Sequence, residues 1–251
     1  EDLVIKIVPS VKSLVAKTSN FSDMRDINIE DLVNRSAVNP IDRMLKENVQ
    51  NKTILVTGGG GSIGSELVNQ ALSLNPKKIV ILEMNELNIH NLMLETKNTE
   101  KLVAVLGSLL DKPLLNRIFQ AHNFDIVFHA AAYKHVPIVE DNIFYGVMNN
   151  VYSTFFIGEF SIKHNVENFV LVSTDKAVKP SNYMGKSKLI SEMIINQLSK
   201  TSKTKFNIVR FGNVLNSSGS VLSIFDQQIK KGGPLTVTDK NVTRYFMSIP
   251  E

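Results

Sequence analysis

One short segment of the chain places a hydroxyl, an acid and an amine side by side, at Thr174-Asp175-Lys176. It directly follows the apolar run 169–172, which predicts a strand, so the three side chains are expected at the carboxyl edge of a sheet, where α/β proteins bind ligands. A neighbouring carboxylate and ammonium can act as general acid and general base. A solvated ion pair on a loop is the alternative, and these residues alone do not decide between the two.

A lysine further along the chain strengthens the catalytic interpretation. Met184 and Lys188 are spaced i, i+4 in a segment with helical character, so both are expected to face the same cleft. The spacing is that of a Tyr-x-x-x-Lys dehydrogenase pair in which Met184 replaces the phenol. Tyr183 is the rival for that role, but it lies about 100° further round the helix and is left out of the catalytic set. A redox site with an added acid–base pair favours oxidation coupled to elimination.

A glycine-rich loop predicts a dinucleotide site. The pattern Gly58-x-x-Gly61-x-x-Gly64 lies between a β-rich run, 53–56, and a helical stretch. Glycine permits the tight turn and the close approach of pyrophosphate, and the helix N-terminus offers free N–H groups to phosphate. A tight turn without a ligand is the alternative. The predicted cofactor contacts of this loop are Gly58, Gly61, Ser62, Ile63 and Gly64.

An acid and a run of small residues complete the predicted cofactor site. Glu83 ends the next predicted strand, where a carboxylate accepts hydrogen bonds from ribose hydroxyls and repels a 2′-phosphate, so NAD is favoured over NADP. Ala130, Ala131 and Ala132 follow another strand, and their small side chains let the backbone approach the nicotinamide.

The five histidines are interpreted separately. His135, with Lys134 beside it, is a candidate for substrate binding and is equally explained by a structural role, whereas for His129 the favoured interpretation is a hydrogen-bonded core residue. None of the histidines has metal-ligand spacing such as His-Glu-x-x-His, so no metal is predicted.

The elements that position these residues alternate along the chain. Apolar strands are predicted at 53–56, 78–82, 102–105, 126–129, 169–172 and 207–210, and helices at 40–49, 65–72, 112–121, 145–164 and 184–198, with another ending at Glu95. Strands that are apolar throughout and alternate with helices indicate an α/β fold with a doubly wound parallel sheet. Residues 1–50 are interpreted as a lead-in from a preceding domain, and 51–251 as the catalytic domain.

Composition excludes several classes of protein. The 251 residues include no cysteine, which rules out disulfides, thiolate nucleophiles and Cys–zinc sites. No apolar run is long enough to cross a bilayer. The net charge of +4 is spread without a basic run carrying interleaved aromatics, so it indicates a generic basic surface or a face for an anionic substrate, and no nucleic-acid partner is predicted. The missing initiator Met and the abrupt C-terminus lead us to expect a piece of a longer protein.

Five linked motifs resemble the extended short-chain dehydrogenase/reductase family. They lie at 56–67, 129–137, 173–178, 210–221 and 243–247. The resemblance is closest to the nucleotide-sugar 4,6-dehydratases of bacterial polysaccharide and glycoprotein biosynthesis. Within these it points to the large membrane-anchored subgroup, which acts on UDP-N-acetylglucosamine, includes the bacillosamine pathway and has Met in place of the tyrosine. One departure is Ser108 after Gly107, where many relatives carry an Asp.

The resemblance implies a Rossmann-like fold and a redox-neutral dehydration with bound NAD. Hydride leaves C4 of the sugar and returns to C6. Lys176 would remove the C5 proton if a desolvated site keeps it neutral, and Asp175 would protonate the leaving C6 hydroxyl if burial keeps it protonated. Thr174 would hydrogen-bond to the C4 oxygen, and Lys188 would bridge the nicotinamide ribose.

The resemblance also implies a UDP-sugar partner and a cellular setting. Asn213, Val221 and Arg244 would meet the UDP half, in a sugar-binding lobe that starts near residue 213 and is truncated here. A homo-oligomer is expected at the cytoplasmic face of the bacterial inner membrane, attached only through segments outside this chain. The alternatives are a nucleotide-sugar 4-epimerase and a non-catalytic NAD-binding module.

Overall fold

The computed structural model describes residues 6–8, 15, 25–26, 38, 40–96, 99–215, 217, 219–237 and 239–251. The predicted lead-in therefore lies mostly outside the described residues. Its described parts include two short antiparallel strands, β1 (Lys6–Ile7) and β2 (Arg25–Asp26), and helix α1 (Asp42–Val49).

A six-stranded parallel sheet forms the centre of the molecule. Its strands are β3 (Thr53–Thr57), β4 (Lys78–Glu83), β5 (Leu102–Leu106), β6 (Ile126–His129), β7 (Asn168–Thr174) and β8 (Lys205–Phe211). They lie in the order β5-β4-β3-β6-β7-β8, and every neighbouring pair is parallel. The chain order reverses between β3 and β6, which opens a crevice at their carboxyl ends. The predicted doubly wound parallel sheet is confirmed.

Helices cover both faces of the sheet. They are α2 (Ser62–Ser73), α3 (Glu86–Glu95), α4 (Lys112–Ala121), α5 (Val136–Asp141), α6 (Ile143–Val147), α7 (Ser153–Lys163), α8 (Tyr183–Ser199) and α9 (Val221–Lys230). Short 3₁₀ turns occupy Thr99–Lys101 and Asp175–Ala177.

The single helix predicted at 145–164 is interrupted in the structure. A π-helical turn, Met148–Tyr152, joins α6 to α7. Such turns redirect side chains inside a helix and are frequent at functional sites. Here the turn contains Asn150, whose side chain is buried and hydrogen-bonded to neighbouring elements.

Two apolar cores explain why the strands are apolar throughout. Side chains alternate between the two faces of a strand, so Leu55 packs with the core beneath α4, α7 and α8, while Ile54 and Val56 pack with the core beneath α1, α2 and α3. All three are fully buried. A sheet covered on both faces favours apolar residues in its central strands, and the fully buried polar exceptions Thr57 and His129 are hydrogen-bonded to each other.

The C-terminal part adds a second, smaller pairing. Strand β9 (Asn213–Val214) lies parallel to β10 (Phe246–Met247). A Cβ atom at Gly212 would lie 2.6 Å from the Tyr245 carbonyl oxygen, so glycine permits this approach. The sequence predicted neither strand. Within the described ranges, the helices are all too short or too polar to cross a membrane.

Candidate active site

The glycine loop is closed by backbone contacts that only glycine allows. Gly58 has φ +66°, and a Cβ there would lie 2.7 Å from the Cα of Ala131. A Cβ at Gly64 would overlap the carbonyl oxygen of Gly58. Gly61 is the N-cap residue of α2, so the free N–H groups of this helix open onto the loop. The loop thus has the geometry that a pyrophosphate requires.

Glu83 is held at the adenosine side of the crevice. Its Oε1 accepts hydrogen bonds from the N–H groups of Met84 (2.9 Å) and Asn85 (3.0 Å), and its Oε2 accepts one from Gly60 (3.2 Å). The residue is only 7% exposed, so its carboxylate has a fixed position.

Glu83 lines a cavity of about 710 Å³ between the glycine loop and the loop after β6. The other predicted cofactor residues that line it are Gly58, Gly61, Ala130, Ala131 and Ala132. Gly107 and Ser108 line it as well, and the Ser108 hydroxyl accepts a hydrogen bond from the N–H of Leu110. The position where relatives carry an Asp therefore lies in this cavity.

A second cavity of about 340 Å³ adjoins the first. The two share Ala130, Ala132, Tyr133 and His135. Its predicted lining residues are Ile63, Lys134, Thr174, Lys176, Met184, Lys188, Asn213 and Val221. Most of the predicted site therefore converges on one crevice, although the roles of these residues stay predictions.

Four predicted residues line neither cavity: Ser62, Gly64, Asp175 and Arg244. Gly64 closes the glycine loop from behind, and Asp175 reaches the site through Lys176. Arg244 is exposed, and its guanidinium donates to the carbonyl of Thr243 (2.8 Å). Asn213, which pairs with Phe246 between β9 and β10, does line the cavity; its N–H donates to the Tyr245 carbonyl (2.9 Å).

Helix α8 brings Met184 and Lys188 to the same cavity, as their spacing predicted. The Asn182 side chain caps the helix by accepting from the N–H of Gly185 (2.7 Å). A Cβ at Gly185 would overlap the Lys176 carbonyl oxygen, so glycine there lets the helix meet the acid–base turn. Tyr183 is 41% exposed and does not line either cavity.

The acid–base pair forms a hydrogen-bonded cluster. Lys176 Nζ lies 3.0 Å from Asp175 Oδ1 and 3.0 Å from Asn213 Oδ1, and the Thr174 hydroxyl donates to Asp175 Oδ1 (3.0 Å). Partial burial raises the pKa of the Asp175 carboxyl, but the hydrogen bonds from Lys176 and Thr174 and the charge of Lys176 outweigh it, and the net pKa lies below its ordinary value.

This geometry corrects one expectation. Burial was expected to keep Asp175 protonated and Lys176 neutral, but the Asp175 and Lys176 side chains remain 38% and 33% exposed. Asp175 is therefore ionised at neutral pH in the free protein, and it forms an ion pair with Lys176.

Lys188 is a buried amine. Burial lowers its pKa to about 8, and the negative charge of Glu192 partly opposes the shift. Sequence reasoning missed the buried pair Glu192 and Ser173 and the half-exposed Arg210, which form a hydrogen-bonded group on the same helix and the adjoining strands. The available signal was Glu192 itself, an acid i, i+4 from Lys188 on a predicted helix.

His129 is a core histidine, one of the two interpretations kept open. Its Nδ1 lies 2.7 Å from the Thr57 hydroxyl and its Nε2 lies 3.0 Å from that of Thr154. Burial, with a contribution from the charge of Lys188, lowers its pKa to about 3, so it is neutral and joins β3, β6 and α7. Within the described part of the chain, His, Asp and Glu form no group of three that could hold a metal.

Asn150 is a second site residue that the sequence did not reveal. Its Oδ1 accepts from the N–H of Tyr133 (2.8 Å), and its Nδ2 donates to the Tyr133 carbonyl (3.0 Å) and the Ser187 hydroxyl (2.9 Å). It thereby ties the loop after β6 to α8. The only signal was an amide side chain inside the helical stretch 145–164.

A family model described as "Polysaccharide biosynthesis protein" matches residues 54–251, which include the parallel sheet and both cavities. The chain belongs to this family. It is 42% identical to the probable polysaccharide biosynthesis protein EpsC of Bacillus subtilis over 251 residues, 98% of this chain and 42% of EpsC.

Two relatives carry a named activity. The UDP-N-acetylglucosamine 4,6-dehydratase (inverting) of Campylobacter jejuni is 33% identical over 80% of this chain and 60% of its own length. The UDP-glucose 4-epimerase of Rickettsia canadensis is 34% identical over 79% of this chain and 59% of its own. The predicted likeness to the bacillosamine-type dehydratase is therefore present, but EpsC is more similar. The chain spans less than two thirds of these three curated relatives.

Solved structures agree with the fold. Pen from Bacillus thuringiensis superposes with a TM-score of 0.76 at 33% identity, covering 80% of this chain and 65% of Pen. The dTDP-glucose 4,6-dehydratase DesIV of Streptomyces venezuelae, solved with NAD and TYD bound, superposes with a TM-score of 0.70 at 22% identity, covering 78% of this chain and 68% of DesIV. These neighbours are Rossmann-like extended short-chain dehydrogenase/reductase enzymes, which confirms the predicted fold class.

Proposed function

We propose that the crevice binds NAD and UDP-N-acetylglucosamine and removes water from the sugar, giving the UDP-4-keto-6-deoxy product. The observation that carries this proposal is the position of the acid–base pair. Lys176, with Asp175 hydrogen-bonded to it, enters the same cavity as Met184 and Lys188. A dehydrogenase needs no such pair, whereas an elimination needs both a base and an acid.

NAD is the cofactor that the larger cavity fits. The glycine loop presents its backbone and the N-terminus of α2 to the pyrophosphate. The carboxylate of Glu83 lines this cavity, where it would accept hydrogen bonds from the ribose hydroxyls and repel a 2′-phosphate. NAD supplies a hydride acceptor and then the matching donor, which makes a sugar ketone transiently and leaves the net reaction redox-neutral.

Asp175 and Lys176 perform the proton transfers of the elimination. When substrate displaces water from the turn, burial disfavours both charges of the pair. The proton can then pass from the Lys176 ammonium to the Asp175 carboxylate along their 3.0 Å hydrogen bond. Neutral Lys176 takes the C5 proton, and protonated Asp175 gives its proton to the departing C6 hydroxyl, which leaves as water. When hydride returns to C6, Lys176 gives its proton back to C5. The proton that the C4 hydroxyl loses on oxidation then protonates Lys176 again, which restores the ion pair of the free protein.

The remaining cavity residues are assigned to substrate binding. We assign Thr174 to the C4 oxygen and Lys188 to the nicotinamide ribose, because both line the cavity together with Lys134, His135, Asn213 and Val221. Arg244 is retained as a phosphate contact because a guanidinium binds phosphate bidentately, but its side chain must move to reach the cavity.

A 4-epimerase is the second candidate, favoured by the 34% identity to the Rickettsia enzyme. An epimerase oxidises C4 and returns hydride to the same carbon, so it needs no acid at C6. The Asp175–Lys176 pair would then have no chemical task. A non-catalytic NAD-binding module would likewise leave Lys188 without a purpose in the cavity.

Mass spectrometry of UDP-N-acetylglucosamine incubated with the protein and NAD separates these functions. The dehydratase predicts a product lighter by one water. An epimerase predicts an unchanged mass with a changed chromatographic retention, and a binding module predicts no product. The matched control is Lys179→Met, a change three residues after Lys176. Lys179 is exposed and lies outside both cavities, so this variant is expected to form the same product as the parent.

We also propose a homo-oligomer at the cytoplasmic face of the bacterial membrane. Ile138, Phe144 and Tyr145 on α5 and α6 are 61%, 69% and 65% exposed, an apolar surface that a second copy would cover. The membrane attachment rests on the resemblance alone. Sedimentation of the protein tests the oligomer: a monomer at all concentrations would contradict it.

A further inference from the structure

A buried carboxylate lies one helical turn beyond Lys188. Glu192 is 2% exposed, and its two oxygens accept three hydrogen bonds from two neighbouring strands. Arg210 on β8 donates from Nε to Oε1 (2.9 Å) and from Nη2 to Oε2, and the Ser173 hydroxyl on β7 donates to Oε1. Ser173 and Arg210 are paired in the β7–β8 ladder, so one register position supplies all three donors.

Lys188 differs from Glu192 in its partners. It is 5% exposed, and within the described residues its ammonium makes no hydrogen bond that would hold it in place. The opposite charge that acts on it is that of Glu192, four residues along the same helix. A buried ammonium without an opposite charge is costly, so the location and charge of Lys188 depend on that carboxylate.

We propose that Glu192 is a positioning residue which, fixed by Arg210 and Ser173, anchors Lys188 at the cavity and keeps its ammonium charged. The group would act on Lys188 without touching cofactor or substrate. It operates in the free protein, so it does not depend on whether the cavity performs dehydration, epimerisation or binding alone.

The charges around Lys188 make the effect of each change predictable. Glu192 on its own helix and His129 on β6 interact electrostatically with Lys188. Lys176, Lys134 and His135 line the same cavity. Arg210 and Asp175 are paired with Glu192 and Lys176 respectively. Of these, Glu192 is the acid that raises the Lys188 pKa, against the effect of burial. The net value of about 8 leaves its charge sensitive near neutral pH.

Two substitutions should shift this pKa in opposite directions. Glu192→Gln removes the negative charge, so the pKa of Lys188 falls, and the ammonium loses its proton at a lower pH. Arg210→Gln leaves Glu192 charged without its cation, so the pKa of Lys188 rises. An opposite charge close to a buried ionisable group shifts its pKa by roughly one unit or more. A purely structural role for the group predicts lower stability in both variants but no opposite shifts.

Nuclear magnetic resonance of the chain labelled with ¹³Cε-lysine measures this pKa directly, without cofactor or substrate. The Lys188 signal is assigned by its loss in Lys188→Met, and pH titrations compare the parent with the two variants. Glu167→Gln is the matched control, because it removes a glutamate that is ion-paired to Lys52, on an exposed surface away from both cavities. This control should leave the Lys188 midpoint unchanged.

The proposal stands if the midpoint falls in Glu192→Gln and rises in Arg210→Gln. An unchanged midpoint in Glu192→Gln, or shifts of the same sign in both variants, overturns it. If Glu192→Gln does not fold, Glu192→Asp and Arg210→Gln decide. Aspartate keeps the charge, so its midpoint should stay near that of the parent, and a fall as large as one unit would contradict the electrostatic role.

Discussion

The larger cavity, beside the glycine loop, and the smaller cavity, beside Lys176, are built in different ways. They are called the cofactor half and the substrate half of the crevice. In the cofactor half, backbone groups provide the geometry: Gly58 and Gly64 allow close approach, and the Glu83 carboxylate is held by three N–H groups. In the substrate half, side chains contact one another, since Lys176 donates to both Asp175 and Asn213. The fold itself therefore determines the first half, whereas the second depends on the charges of a few side chains.

Exposure shows the same contrast. Glu83 is almost completely buried, whereas the Asp175 and Lys176 side chains are about one third exposed in the free protein. A ligand that excludes water therefore changes the surroundings of the exposed pair more than those of Glu83, which backbone N–H groups hold in place. The substrate half is thus expected to respond to single side-chain changes, and the cofactor half to changes in backbone space.

The largest effect is expected from Asp175→Asn. An amide cannot protonate the leaving C6 hydroxyl, so formation of the dehydrated sugar should fall roughly 100- to 10,000-fold. NAD affinity, measured by calorimetry, should not change, because Asp175 does not line the larger cavity. Asp226→Asn, an exposed aspartate paired with Lys230, serves as the control. Near-normal dehydration by Asp175→Asn would mean that another group supplies the proton.

Adding a single methyl group to the glycine loop should weaken cofactor binding. In Gly64→Ala the added Cβ overlaps the Gly58 carbonyl oxygen, whereas in Gly61→Ala it lies 3.3 Å from the same atom. Overpacking of this kind costs about 1–3 kcal/mol. Gly64→Ala should therefore weaken NAD binding about 5- to 150-fold, and Gly61→Ala clearly less. Equal affinities of the two variants in calorimetric titration would show that loop closure does not control binding.

Cofactor preference tests the role of Glu83 in the cofactor half. The parent should bind NAD at least about tenfold more tightly than NADP, equivalent to about 1.4 kcal/mol, because Glu83 repels the 2′-phosphate. Glu83→Gln removes the charge and should narrow this ratio, while Glu95→Gln, an exposed change near the end of α3, should not. A parent that binds both cofactors equally, or prefers NADP, would refute the assigned role.

The smallest effect on turnover is expected from substitutions of Met184. At this position the substrate half depends on the volume and polarity of a side chain, as the cofactor half depends on backbone space. A thioether exchanges no proton, so Met184 keeps the cavity wall apolar beside Lys176. Met184→Leu preserves volume and polarity and should lower turnover only a few-fold. Met184→Tyr adds a phenol to a site not built for it and should not raise turnover. A much faster tyrosine variant would show that position 184 has lost a catalytic group.

The sequence alone determined the sheet and the cofactor half to a large extent. The apolar runs at 53–56, 78–82 and 126–129 coincide with β3, β4 and β6, because a strand buried on both faces must be apolar throughout. The glycine spacing predicted the tight loop, and the i, i+4 spacing of Met184 and Lys188 predicted that both face one cavity, because both patterns are local. Each depends only on residues within a single loop or helix.

Only the tertiary structure decided how the substrate half is connected. Lys176 and Asn213 belong to different elements, as do Asn150, Tyr133 and Ser187, and their hydrogen bonds follow from the packing of those elements. The ionised state of Asp175 also arises from such contacts. A protonation state reflects the balance of burial against nearby charges and donors, and that balance exists only once distant parts of the chain have come together.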